Sequence, residues 1–100
     1  MKLWVDDVRP APNKDYDWVQ SVEGAKAAIC ATEQQNKIYT LLDLDHDSGK
    51  YRGCGGDYIK FLDWLEETGR NYPIRIHSMN PVGVENMRRI IRRNGWKEVY

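Results

Sequence analysis

The chain has 100 residues, 41% hydrophobic and 30% charged, the balance of one ordinary globular domain with no room for a second core. Lys plus Arg and Asp plus Glu both number 15, so no global field draws it to nucleic acid or membrane, and a local patch must meet any such partner. No apolar run approaches the ~20 residues of a membrane span, and residues 2–5 already read as a strand rather than a signal peptide, so the expected location is the cytoplasm with no membrane partner. Cys30 and Cys54 form no CxxC pair, which predicts two unpaired thiols in a reducing compartment.

Lys2–Val5 is a short strand that ends abruptly at Asp6-Asp7. Pro10 and Pro12 make the next segment a loop, because proline removes a backbone donor and cannot sit in a central strand. A strand is predicted around Trp18-Val19. Ser21 then caps a helix whose Val22, Ala25 and Ile29 share one face to about Glu33. Ile38–Leu42 reads as a strand covered on both faces. After the glycine-rich stretch Gly49 to Gly56, Asp57 is expected to cap a helix with Tyr58, Phe61, Leu62 and Leu65 at helical spacing, ended by Gly69.

Pro73–Ser78 is the next strand. Asn80-Pro81 opens a third helix with Asn at the cap and Pro at the first turn; Val84, Met87 and Ile91 line its inner face, and Gly95 stops it. Trp96–Tyr100 is the last strand. Strands alternating with single helices predict a single three-layer α/β domain, residues 1–100, with a mostly parallel sheet.

In such sheets ligands lie beyond the carboxyl ends of the strands. Asp6-Asp7, Asp45-His46-Asp47 and His77-Ser78 all fall there. Ionised carboxylates at close quarters repel, and a hard divalent cation with oxygen ligands, Mg²⁺ or Mn²⁺, would relieve Asp6, Asp7, Asp45 and Asp47. Turn-capping by these acids is the plainer explanation of each piece alone. A calcium loop counted from Asp43 fails, since its sixth and twelfth positions are Ser48 and Cys54 rather than Gly and Glu. A DxD phosphatase built on Asp43-Leu44-Asp45 would ordinarily need a larger chain.

His46 and His77 are the only histidines, and both fall at this edge. Histidine titrates near neutrality, so the pair can split acid and base work on a phosphoester, or each can ligate a metal. Arg9 can clamp a phosphate with its planar fork or pair with Asp6 or Asp7. The helix start at Asn80-Pro81 offers backbone N–H groups to an anion. Arg88, Arg89, Arg92 and Arg93 form a basic stripe, either a solvated face or a contact for an RNA backbone.

These residues resemble the response-regulator receiver domain, in which an acid pair and a phosphoacceptor aspartate hold Mg²⁺ and a Ser/Thr contacts the phosphoryl group. The chain departs from that pattern in two places: no lysine follows a fifth strand, and the proline loop replaces the first helix. The fuller resemblance is to the cyclic-phosphate-processing receiver domains, carried by LWVDDVRPAP, LDHDSG and IHSMNPVGVENMRRII in that order, the HSxNPxG piece being the most specific. Asp43 lies outside the shared strings. The resemblance implies a receiver-like (flavodoxin-like) fold and a metal-assisted phosphoesterase acting on cyclic nucleotides or RNA 2′,3′-cyclic phosphate ends. By position it implies Asp6, Asp7, Asp45 and Asp47 at the metal, His46, His77 and Asp45 as catalytic residues with the histidines as acid and base, and Arg9, Ser78 and Asn80 on the phosphate. The rival expectation is a non-catalytic receiver-like module that is phosphorylated on Asp45 or merely binds a phosphorylated ligand.

Overall fold

Strands β1 (Lys2–Val5), β2 (Tyr16–Val19), β3 (Leu41–Leu44), β4 (Ile74–Ile76) and β5 (Glu98–Val99) form one sheet in the computed structural model, which describes residues 1–49 and 51–100. Their order is β2-β1-β3-β4-β5 and every pairing is parallel. Successive side chains of a strand point to opposite faces. In register, that puts Leu3, Val5, Leu42, Leu44 and Ile74 on one face, all fully buried.

The helices meet that face. Val22, Ala25 and Ile29 of α1 (Val22–Gln34), Phe61, Leu62 and Leu65 of α2 (Ile59–Glu67), and Met87, Ile90 and Ile91 of α3 (Pro81–Asn94) join the five strand residues in one core. Each fully buried aliphatic or aromatic side chain there contributes about 1.5–3 kcal/mol of transfer free energy. Removing a large one leaves a cavity in addition.

The opposite face carries Trp4, Trp18, Asp43 and Arg75, which share a register row across four strands. No helix among the described residues covers it. The connection Asp6–Asp15 lies there instead, with the Trp4 indole N–H donating to the Arg9 carbonyl at 2.8 Å and Trp4 only 8% exposed. The third layer expected from the sequence is therefore a loop where receivers have a helix. No helix among the described residues is long and apolar enough to cross a membrane.

Several boundaries differ from the sequence expectation, the strand expected at Pro73–Ser78 among them, which is Ile74–Ile76. The strand expected at Ile38–Leu42 is Leu41–Leu44: Asn36 turns the chain with φ 58°, Ile38 is 71% exposed, and pairing begins only where Thr40 N–H reaches the Met1 carbonyl. The strand then runs through Asp43, because Arg75 stands beside it to compensate the charge. Asp57 does not cap α2. Its carboxylate accepts from Ser48 N–H and Oγ at 3.1 Å and faces Arg52. Burial would raise that carboxyl, but the Ser48 hydrogen bonds and the Arg52 charge outweigh it and hold it below the usual carboxylate range. Trp96 belongs to the core rather than to the last strand.

Asn80 and Gly95 act as expected: Asn80 Oδ1 caps Gly83 N–H at 3.0 Å, and Gly95 ends α3 at φ 67°. The glycine-rich loop packs on the start of α1, where Cys54 carbonyl accepts from Glu23 N–H at 3.0 Å. Both cysteines are free. The arginine stripe is largely paired, Arg88 to Glu98, Arg92 to Glu85 and Arg93 to Glu66, as suits a solvated face.

Candidate functional site

The ladder continues one residue past each central strand. Asp6 N–H reaches the Val19 carbonyl, Asp45 N–H the Val5 carbonyl and His77 N–H the Leu44 carbonyl, at 2.8–3.1 Å. Because all strands are parallel, these three residues emerge side by side at one edge. One ligand atom from each of Asp6, Asp45 and His77 can be chosen so that all lie within 4.8 Å of one another.

Asp6 is 1% exposed and fully engaged. Its Oδ1 accepts from Val8 N–H and Arg9 N–H, both at 2.9 Å, which folds the proline loop back over the sheet. Its Oδ2 faces His77 Nε2 at 2.9 Å. The other ring nitrogen, Nδ1, lies 2.7 Å from Asp43 Oδ1. The imidazole thus bridges two buried carboxylates and stacks on Trp4, with centroids 3.9 Å apart and planes within 5°. Asp43 is fully buried and also takes Arg75 at 3.1 Å and the Tyr16 hydroxyl at 3.4 Å.

Asp45 is half-buried, and its Oδ1 accepts from His46 N–H at 2.7 Å. Asp7 and Asp47 are not among the three clustered ligands. Burial pushes the Asp7 carboxyl above the ordinary carboxylate range; its own backbone N–H opposes this, and the charges of Asp6, Asp45 and Asp47 add to it. The folded state therefore holds the Asp7 proton more tightly than the unfolded chain does. Its contribution is most favourable below the unfolded value and is lost as pH rises through the raised folded one. Asp7→Asn should accordingly raise the melting temperature at pH 7 in metal-free buffer, with the advantage shrinking towards acid. Thermal melts at a series of pH values check this; a lower melting temperature at neutral pH would show that Asp7 is not under strain.

His46 sits differently. Its Nδ1 lies 2.8 Å from Asp47 Oδ1, while the contact to Asn80 Nδ2, at 3.5 Å, is at the limit of a hydrogen bond. Its Nε2 has no hydrogen bond among the described residues, and since no buried side-chain polar atom lacks a partner, that nitrogen reaches solvent. The ring lies against Gly83, where an added Cβ would come within 2.5 Å of it. Gly83→Ala should push the imidazole aside and lower turnover by about tenfold, short of the 10²-fold that a full 1 Å misplacement can cost. Steady-state kinetics beside a melting curve separates this from unfolding.

Arg9, Ser78 and Asn80, the residues expected to meet a phosphate, follow the ends of β1 and β4. Arg9 is exposed, and among the described residues its side chain makes no ion pair with Asp6 or Asp7. Ser78 Oγ accepts from Asn80 N–H at 3.1 Å. Pro81 has no N–H, Gly83 N–H is capped by Asn80 and Val84 N–H bonds the Asn80 carbonyl, so of this turn Val82 N–H is left for an anion.

Sequence reasoning missed Arg75, Tyr16 and Trp4 as parts of the site and weighed Asp43 only for a calcium loop and a DxD phosphatase. The available signal was an aspartate between leucines: a buried acid in a central strand requires a cationic neighbour.

A parallel sheet in the order β2-β1-β3-β4-β5 with acids at the ends of β1 and β3 defines a receiver-like domain. The chain belongs to the family described as the cyclic-phosphate processing receiver domain, whose family model matches residues 1–93. No curated protein and no solved structure gives a significant match.

Proposed function

We propose that this domain is a metal-assisted phosphoesterase that opens or hydrolyses cyclic phosphates, on cyclic nucleotides or at RNA 2′,3′-cyclic phosphate ends. The observation that carries this reading is the clustering of Asp6, Asp45 and His77 at the sheet edge beside a histidine with a free Nε2. The donor set, two carboxylates and one imidazole, suits a divalent cation, and a cation held there would neutralise phosphate charge and polarise a phosphoryl oxygen. Asp6, Asp45 and His77 would hold it, with the Asp7 charge nearby.

The two histidines then do different work. Asp47 accepts from His46 Nδ1–H, which leaves Nε2 as the lone pair that takes a proton from an attacking water and returns it to the leaving oxygen. His77 has neither ring nitrogen unengaged and serves in binding. Arg9, Ser78 Oγ, Asn80 Nδ2 and Val82 N–H are the donors for the phosphate oxygens.

The test is turnover on a panel of 2′,3′-cyclic and 3′,5′-cyclic nucleotides and cyclic-phosphate-ended RNA, with Mg²⁺, Mn²⁺ or chelator. Metal-dependent opening of one class supports the reading and names the substrate. An acyl phosphate accumulating on Asp45 from a small phosphodonor, with no turnover, would favour the receiver-module alternative, for which the half-buried position of Asp45 after β3 speaks.

A further inference from the structure

His77 presents a hydrogen-bonding puzzle that the proposed cation would resolve. A neutral imidazole has one N–H and one lone pair. Both His77 nitrogens face carboxylate oxygens, Nδ1 at 2.7 Å from Asp43 and Nε2 at 2.9 Å from Asp6. If Nδ1–H donates to Asp43, the shorter contact, then the Nε2 lone pair points at an oxygen lone pair of Asp6. A proton shared by the pair relieves that repulsion, and so does a cation beside them that takes one lone pair from each, at the 2.9 Å spacing of neighbouring ligand atoms.

Three further observations favour a ring built to ligate. Asp43 is fully buried in β3, so its carboxylate is fixed by the sheet rather than by a mobile loop. Arg75 Nη1 donates to both oxygens of the Asp43 carboxylate, at 3.1 Å and 3.4 Å, and so holds it in place. Trp4 stacks on the ring with planes within 5°, which sets the ring's tilt. A carboxylate donating orientation to one imidazole nitrogen while the other binds metal is a recurrent outer-shell arrangement, and it raises the basicity of the ligating nitrogen.

Resting on the cation reading above, we propose that Asp43, which nothing in the family strings includes, is the positioning residue that presents His77 Nε2 as a nitrogen ligand. The site thereby discriminates against Mg²⁺ in favour of a first-row transition ion. Mg²⁺ takes oxygen ligands and gives up its waters reluctantly, so an imidazole in the set disfavours it. Transition ions accept imidazole.

Mn²⁺ is the probe. Pulsed electron paramagnetic resonance on the wild-type protein loaded with Mn²⁺ should show a directly bonded ¹⁴N coupling that changes when histidine alone is ¹⁵N-labelled and persists in His46→Gln. Calorimetry should give Mn²⁺ an affinity at least about tenfold above that of Mg²⁺. Asp43→Asn should lower Mn²⁺ affinity by about 10–100-fold, the usual effect of removing an outer-shell partner, and narrow the Mn²⁺/Mg²⁺ ratio.

Mn²⁺ bound without histidine ¹⁴N coupling would overturn the inference while leaving the cation reading intact, since carboxylates alone would then hold the ion. An Asp43→Asn protein that melts lower but binds Mn²⁺ unchanged would reduce Asp43 to a structural role. If neither ion binds, the cation reading falls and this inference with it. Should Asp43→Asn fail to fold, Asp43→Glu, which keeps the charge but displaces the carboxylate, takes its place, and an unchanged Mn²⁺ affinity there overturns the positioning role.

Discussion

His77→Ala should destabilise the domain by about 3–5 kcal/mol, the usual consequence of stripping one partner from a buried ionic network. Asp6 and Asp43 are 1% and 0% exposed, so neither can recover its lost contact from bulk water. Arg75 still reaches Asp43, but no cationic side chain among the described residues is paired with Asp6. Trp4 loses its stacked neighbour as well. Against the roughly 5–15 kcal/mol of a typical native domain this is a large fraction. Urea unfolding would register it as a lower midpoint at unchanged slope. The double variant His77→Ala/Asp43→Ala should lose less than the sum of the two single changes, because residues sharing one network are coupled. A loss under 1 kcal/mol for His77→Ala would mean that water already satisfies both carboxylates.

His46→Ala should leave the fold intact and remove about 10²–10⁴ in turnover, the range for a positioned acid or base. The prediction separates the two histidines, which the sequence alone treats as equivalent. His46 contributes no side chain to the core, its Nε2 is unengaged, and its ring rests on the start of α3 rather than between buried acids. Asp47→Ala should cost less than His46→Ala, since it removes only the group that orients the ring through Nδ1. Kinetics on whichever cyclic substrate is opened, with circular dichroism as the control, decides it. Full turnover in His46→Ala would end its role as the proton carrier and direct attention to a metal-bound water alone.

The order of elements was legible because its signals are local. Ser21 and Asn80 carry side-chain oxygens that satisfy the first N–H groups of their helices, and Gly95 tolerates the left-handed turn that ends α3, whatever the rest of the chain does. The strand-end positions of Asp6, Asp45 and His77 followed from the same pattern, and a parallel sheet then leaves them one edge to share. Asp57 misled because a helix-capping oxygen and a loop-binding oxygen look alike in sequence, and Ser48, nine positions away, competed for it.

Division of labour within the site came only from the tertiary structure. Whether a histidine has a free nitrogen depends on residues distant in sequence, 34 positions away for Asp43 and 71 for Asp6 in the case of His77. The expected strand stopped at Leu42, one residue short of Asp43, because burying a carboxylate in mid-sheet is costly until Arg75 and His77 are placed beside it. Composition, periodicity and capping chemistry thus fixed which residues reach the edge. Register across β1, β3 and β4 decided which of them face each other, so that His77 bridges Asp6 and Asp43 while His46 stands outside that network.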